Sequence, residues 1–184
     1  AITAKLLDVA GEIQKKVGIQ LEWINIGGGY GIPYRPNEKP LDIEKVAEKV
    51  TEMLRKKTKE HGLGQPTLMA EPGRYIVGDS GILLTTVHEV KTESYEPFVG
   101  TDAGMNVLLR PALYGAYHHI LVANRLNARP ITPITIVGQI CENTDKIAEN
   151  RRMPKPKRGD ILAILCTGAY GFSMSSQYNT RPRP

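Results

Sequence analysis

Cysteine is scarce in this chain. Its 184 residues include only Cys141 and Cys166, so no disulfide framework holds it and its stability must come from buried apolar surface. The longest apolar runs, Ile131 to Val137 and Ile161 to Cys166, are too short to cross a bilayer. The amino-terminal stretch has no basic segment followed by a signal-type apolar core, so no membrane partner and a cytoplasmic location are the expectation. Charge of one sign is not concentrated either. The net charge of +5 is spread out, and its densest stretches, Arg55 to Lys59 and Arg151 to Arg158, lack interleaved aromatics. That pattern argues against a nucleic-acid surface and remains compatible with attraction of small anions. Internal repeats, low-complexity tracts and a flexible linker are missing too. With 41% hydrophobic residues, the chain can build one sizeable core or two small ones.

The first half has helical and strand periodicities in alternation. Leu6, Leu7, Val9, Ala10 and Ile13 recur at helical spacing within residues 3–17, and Gly18 ends the pattern. Leu21 to Ile26 reads as a short buried strand. Asp42 to Lys59 reads as a second amphipathic helix, preceded by Pro40 and closed by His61-Gly62, and Pro66 to Ala70 as a second buried strand. This rhythm belongs to a parallel α/β barrel or a doubly wound sheet, where ligands sit at the carboxyl ends of the strands. After about residue 80 the pattern turns mostly β. Gly81 to Lys91, Pro97 to Ala103, Ile134 to Ile140 and Asp160 to Thr167 read as strands, and Pro111 to Val122 has some helical character. Two closely packed domains, residues 1–80 and 81–184, are therefore expected.

Glycine marks the most informative site. The first strand runs into Gly27-Gly28-Gly29-Tyr30-Gly31, which frees backbone amides to approach a ligand closely. A tight turn without ligand and a cup for a phosphate are both open readings. The following Ile32-Pro33-Tyr34-Arg35-Pro36 breaks any helix, which excludes the dinucleotide fingerprint and the Walker loop. Glu71-Pro72-Gly73-Arg74 follows the second strand, and its forced turn sends a carboxylate and a guanidinium toward one mouth; a salt bridge or capping pair is the alternative. Arg110 and Tyr114 offer a second guanidinium and a phenol. Cys141-Glu142 places a thiol beside a carboxylate in a polar turn, where access favours reactivity, whereas Cys166 reads as inert core. His118 and His119 lack a matching ligand cluster, so they read as structural histidines and no metal is expected. Gly168-Ala169-Tyr170-Gly171 holds a phenol in a tight loop.

In order along the chain, Asn25 to Tyr34, Glu71 to Arg74, Asp102 to Asn106, Arg110 to His118, Ile140 to Glu142 and Gly168 to Pro184 resemble the carboxyl-terminal part of the diaminopimelate decarboxylases. These are pyridoxal-phosphate enzymes with an alanine-racemase-like barrel and a β domain. The resemblance implies an α/β plus β chain: the last βα units of a pyridoxal-phosphate-binding (β/α)8 barrel in residues 1–80, then a mostly β carboxyl-terminal domain in 81–184. It implies that Gly27, Gly28 and Gly29 receive the phosphate of pyridoxal 5'-phosphate, with Glu71, Pro72, Gly73, Arg74 and Tyr170 completing the cofactor contacts. Glu71 would pair with the pyridinium nitrogen. Arg74, Arg110, Tyr114, Glu142 and Tyr170 would hold the amino-acid substrate, and Cys141 would be the catalytic acid that protonates the carbon after decarboxylation.

The implied activity is decarboxylation of meso-diaminopimelate to L-lysine and carbon dioxide, by a homodimer in which the Cys-Glu loop enters the neighbouring subunit's site. The family's cofactor lysine and early barrel strands match nothing here; Lys5, Lys15, Lys16, Lys45 and Lys49 sit in helix-surface contexts, and the last β segment expected of the family is not reached. Alternatives are a related basic amino-acid or carboxynorspermidine decarboxylase, or an inactive piece serving as an interaction module. Two arginines weigh against substrates without a distal carboxylate, because a desolvated guanidinium lacking an anion is costly.

Overall fold

The computed structural model describes residues 2–92, 97–127, 129 and 132–184. Ile131, the first residue of one apolar run, lies outside them. The chain divides into two compact units, Ala1–Gly31 with Pro40–Gly73, and Ile32–Lys39 with Arg74–Pro184.

The first unit is built from helix α1 (Ile2–Val17), strand β1 (Trp23–Asn25), helix α2 (Ile43–His61) and strand β2 (Thr67–Met69). The strands pair in parallel, Ile24 opposite Leu68, so α2 is the crossover of a βαβ unit. Asp42 caps α2 by accepting from the Lys45 amide at 3.0 Å, and Gly62, at φ 65, ends it by donating its N–H to the Thr58 carbonyl. Leu7, Ala10, Ile24 and Leu63 form a small buried core. Both strands are shorter and less covered than their apolar sequence suggests: Trp23 is 58% exposed and Met69 47%. Two paired strands with one layer of helix bury few of their side chains, whatever those side chains are. Between the helices, Lys57 Nζ lies 2.6 Å from Asp8 and 3.1 Å from Glu60, while His61 Nε2 meets Asp8 at 2.8 Å. A cation therefore already occupies the Asp8–Glu60–His61 cluster, which sequence inspection does not reveal.

The second unit is mostly β. Strands β3 (Leu83–Lys91), β4 (Phe98–Thr101), β5 (Ile120–Val122), β6 (Thr132–Val137), β7 (Lys146–Met153) and β8 (Ile161–Ile164) form one sheet in the order β5-β8-β3-β4-β6-β7. Only β4 and β6 run parallel; the other neighbours are antiparallel. Val87, Val99, Ile134, Ile136, Ile147, Leu162 and Ile164 build its core, each fully buried aliphatic side chain contributing about 1.5–3 kcal/mol. Asp160 anchors the β8 entrance by accepting from Arg125 Nη2 at 2.6 Å and Asn124 Nδ2 at 2.7 Å.

Three local readings change. The Pro111–Val122 segment splits into the short helix α4 (Arg110–Tyr114), ended by Gly115 at φ 61, and strand β5. Arg151 and Arg152 belong to β7, not to a loop, since the break comes only at Pro154. Cys166 lies beyond β8 and is partly exposed, with φ 58, rather than in the core. Burial nonetheless pushes its thiol pKa up, helped by Asp79.

Candidate active-site residues

In the first unit, parallel pairing puts the ends of β1 and β2 side by side, and each end carries one of the motifs. Asn25, the last residue of β1, links them: its Oδ1 accepts from the Gly27 amide at 2.8 Å and its Nδ2 donates to Glu71 Oε1 at 2.6 Å. The Glu71 amide in turn donates to the Gly27 carbonyl at 2.8 Å. Gly27 and Gly29 have φ of 72 and 90, conformations that glycine adopts without strain. At Gly28 the reason for glycine is different, because a Cβ there would overlap the Glu71 carbonyl oxygen. Among the described residues the Gly28 and Gly29 amides donate to no protein group. Pro72 is followed by a Gly73 amide that turns back to the Glu71 carbonyl at 2.9 Å.

In the second unit, Arg74, Arg110 and Tyr170 assemble around Tyr34. The Tyr34 ring lies 4.9 Å from the Arg110 guanidinium carbon and 5.9 Å from that of Arg74, and Tyr170 lies 5.4 Å from Arg74. Arg74 belongs to helix α3 (Gly73–Val77); Arg110 opens α4 and is only 6% exposed. Among the described residues neither arginine has a carboxylate partner. Buried charges are ordinarily paired, and a guanidinium buried without an acid can take up an anion. The Tyr34 hydroxyl is likewise buried without a hydrogen-bond partner. Tyr170 sits at φ 59 in a loop whose Gly168 leaves no room for a Cβ against the Val77 carbonyl. His118, fully buried, bonds Arg110 through Nε2 at 2.8 Å and the Leu165 carbonyl through Nδ1 at 2.9 Å. Burial, with Arg110, Arg151 and Arg74 nearby, lowers its pKa below the usual imidazole range.

The Cys141-Glu142 turn is held from below by Asp145. This buried carboxylate accepts from the Ile140 and Met105 amides at 2.7 and 2.6 Å, and burial raises its pKa despite both bonds. Gly104 and Gly138 lie flat against it. The turn thereby presents Cys141 and Glu142 to solvent, with Glu142 accepting from the Tyr178 hydroxyl at 3.4 Å. Tyr114 is 65% exposed. Among the described residues no side-chain hydrogen bond or ion pair joins Cys141, Glu142 or Tyr114 to Arg74, Arg110 or Tyr170. Sequence reasoning assigned no site role to Tyr34, set among prolines at the end of the Asn25–Tyr34 motif, or to Asp145. His118 was legible as a satisfied buried histidine, though its partner was not.

Residues 35–168 match the family model described as pyridoxal-dependent decarboxylase, C-terminal sheet domain. The chain belongs to the pyridoxal-dependent decarboxylases. Diaminopimelate decarboxylases of Methanothermobacter thermautotrophicus and Archaeoglobus fulgidus are 53% and 44% identical to this chain over 179 residues, 97% of it. The chain spans about 42% of the length of these curated relatives. A solved diaminopimelate decarboxylase from M. jannaschii, in complex with L-lysine, superposes with a TM-score of 0.86 at 38% identity, covering 99% of this chain and 41% of that one. The cofactor of the family, pyridoxal phosphate, fits the donor set present here: glycine amides in a cradle that tolerates no side chain at Gly28, and a carboxylate oriented by Asn25.

Proposed function

We propose that this chain serves a pyridoxal-phosphate enzyme that decarboxylates meso-diaminopimelate to L-lysine, acting as a cytoplasmic homodimer. The observation that carries the reading is the buried Arg110 beside Arg74 and the Tyr34 hydroxyl, with no acid on Arg110 and no hydrogen-bond partner for that hydroxyl among the described residues. A substrate with two carboxylates needs one of them held fast while the other leaves, and paired guanidiniums are suited to that hold. When bound, pyridoxal phosphate supplies the sink for the electron pair left by departing carbon dioxide. The Gly27–Gly29 run receives its phosphate, with Gly27 held by Asn25 and the Gly28 and Gly29 amides donating to the phosphate, and Pro72 and Gly73 shape the turn that sets Glu71. Glu71, oriented by Asn25, keeps a proton at the ring nitrogen.

Arg74 and Arg110 bind the retained carboxylate, Tyr114 and Tyr170 line the substrate, and Glu142 reads its distal ammonium. Cys141 donates the proton that replaces carbon dioxide. Exposure of Cys141 and Glu142 supports their delivery into a partner subunit's site. In the same reading, residues 1–80 supply the last βα units of a (β/α)8 barrel and residues 81–184 the β domain. The relative solved with L-lysine is in keeping with this substrate.

Carbon dioxide release by the complete protein tests the proposal. Preference for meso-diaminopimelate over ornithine is the expected result, and the reverse preference would overturn it.

A further inference from the structure

We infer that His118 is a positioning residue for carboxylate recognition, presenting the Arg110 guanidinium to the substrate without neutralising it. The inference rests on the proposal that Arg110 binds the retained carboxylate. Both ring nitrogens of His118 have partners with only one possible role. The Leu165 carbonyl can only accept, so Nδ1 carries the proton; Arg110 can only donate, so Nε2 offers its lone pair. The imidazole is thus a neutral acceptor in a single tautomer. Its ring is also fixed edge-on against Tyr34, with centroids 5.3 Å apart and planes at 84°. On the backbone side, Arg151 Nη1 donates to the His118 carbonyl at 2.6 Å.

The choice of acceptor matters. An Asp or Glu at this place would orient the guanidinium equally well, but its charge would cancel the field that attracts a ligand carboxylate. A neutral imidazole occupies one N–H of Arg110, leaving the other four donors and the full positive charge for the ligand. Burial and the charges of Arg110, Arg151 and Arg74 all oppose its protonation. It therefore stays an acceptor over the neutral range.

The test compares two ligands that differ by one carboxylate. Decarboxylation leaves L-lysine with the carboxylate that the arginines hold, whereas cadaverine is the same diamine without it. Calorimetric binding to the holoenzyme, with complete chains, is measured for His118→Leu, His118→Gln and Arg110→Met. His118→Leu should weaken L-lysine binding roughly tenfold or more, the loss of one charge-assisted hydrogen bond, and leave cadaverine unchanged. Glutamine supplies a neutral acceptor and should restore most of the L-lysine affinity. Unchanged L-lysine affinity in His118→Leu, equal weakening of both ligands, or no rescue by glutamine would overturn the inference. If Arg110→Met keeps its L-lysine affinity, the carboxylate assignment itself fails; if it loses affinity while His118→Leu does not, only the positioning role fails. A measurement on the unmutated holoenzyme covers the case of a variant that does not fold: histidine nitrogen NMR should show His118 protonated at Nδ1 and bare at Nε2, and the opposite tautomer would overturn the inference.

Discussion

Alanine at Gly28 should weaken pyridoxal phosphate binding by roughly 5- to 150-fold, and the number follows from what the new methyl would meet. The obstacle is the carbonyl oxygen of Glu71, a backbone atom that cannot rotate aside. Glu71 is also tied to the glycine loop through its own amide, 2.8 Å from the Gly27 carbonyl, so loop and carboxylate-bearing turn must separate together. Overpacking of this kind costs about 1–3 kcal/mol, and about 1.4 kcal/mol is a tenfold change in affinity.

Two neighbours provide the controls. At Gly31 a Cβ meets nothing within 4 Å and the backbone is not left-handed, so Gly31→Ala should bind the cofactor like the unmutated protein. At Gly29 space is equally open, but φ is 90, so alanine adds strain of about 1–2 kcal/mol without any overlap. Titrating the cofactor-free complete protein with pyridoxal phosphate, followed by fluorescence quenching, ranks the three variants, and a thermal melt of each checks that it is folded. Equal affinity for Gly28→Ala and Gly31→Ala would refute the argument from close approach.

Cys141→Ala is expected to slow turnover of the complete enzyme while its cofactor titration stays unchanged, because the thiol is exposed on a turn held by Asp145 and is proposed to act only as a proton donor. Undiminished turnover would remove it from the proton-donor role. Acid should destabilise the fold through His118. Its folded-state pKa lies below the unfolded value of 6.5, so the unfolded chain binds more protons; the stability it contributes is present above 6.5 and is lost as pH falls through the folded value. Denaturant melts across that range should show a shallower pH dependence for His118→Gln, and identical slopes would contradict this account.

Much of the local structure was legible in advance. The helices Ile2–Val17 and Ile43–His61 follow from their apolar spacing, the Asp42 cap and the Gly62 stop, all of which act within a few residues. The glycine run, the Glu71 turn and the tight loop around Tyr170 were visible for the same reason: unusual backbone needs unusual residues at that very position. Strand coverage was not legible in this way. Leu21 to Ile26 is apolar, yet Trp23 is exposed, because burial of a strand depends on what is stacked over it. Strand β7 was hidden by its charges, Lys146, Glu149, Arg151 and Arg152, which sit on a sheet edge where half the residues need no apolar character.

By itself the sequence determined the identity of the chemical groups, the turns that present them and the family to which they belong. Only the tertiary structure decided which groups meet. Asn25 reaches Glu71 across 46 positions because two short strands pair in parallel. His118 reaches the Leu165 carbonyl across 47 positions because β5 lies beside β8. Partnerships at that range are set by the register of distant strands, a property of the packed sheet that leaves no signature in the residues themselves. The absence of a carboxylate beside Arg110 is of the same kind: the acids in the sequence are many, and the fold alone shows that none among the described residues is paired with it.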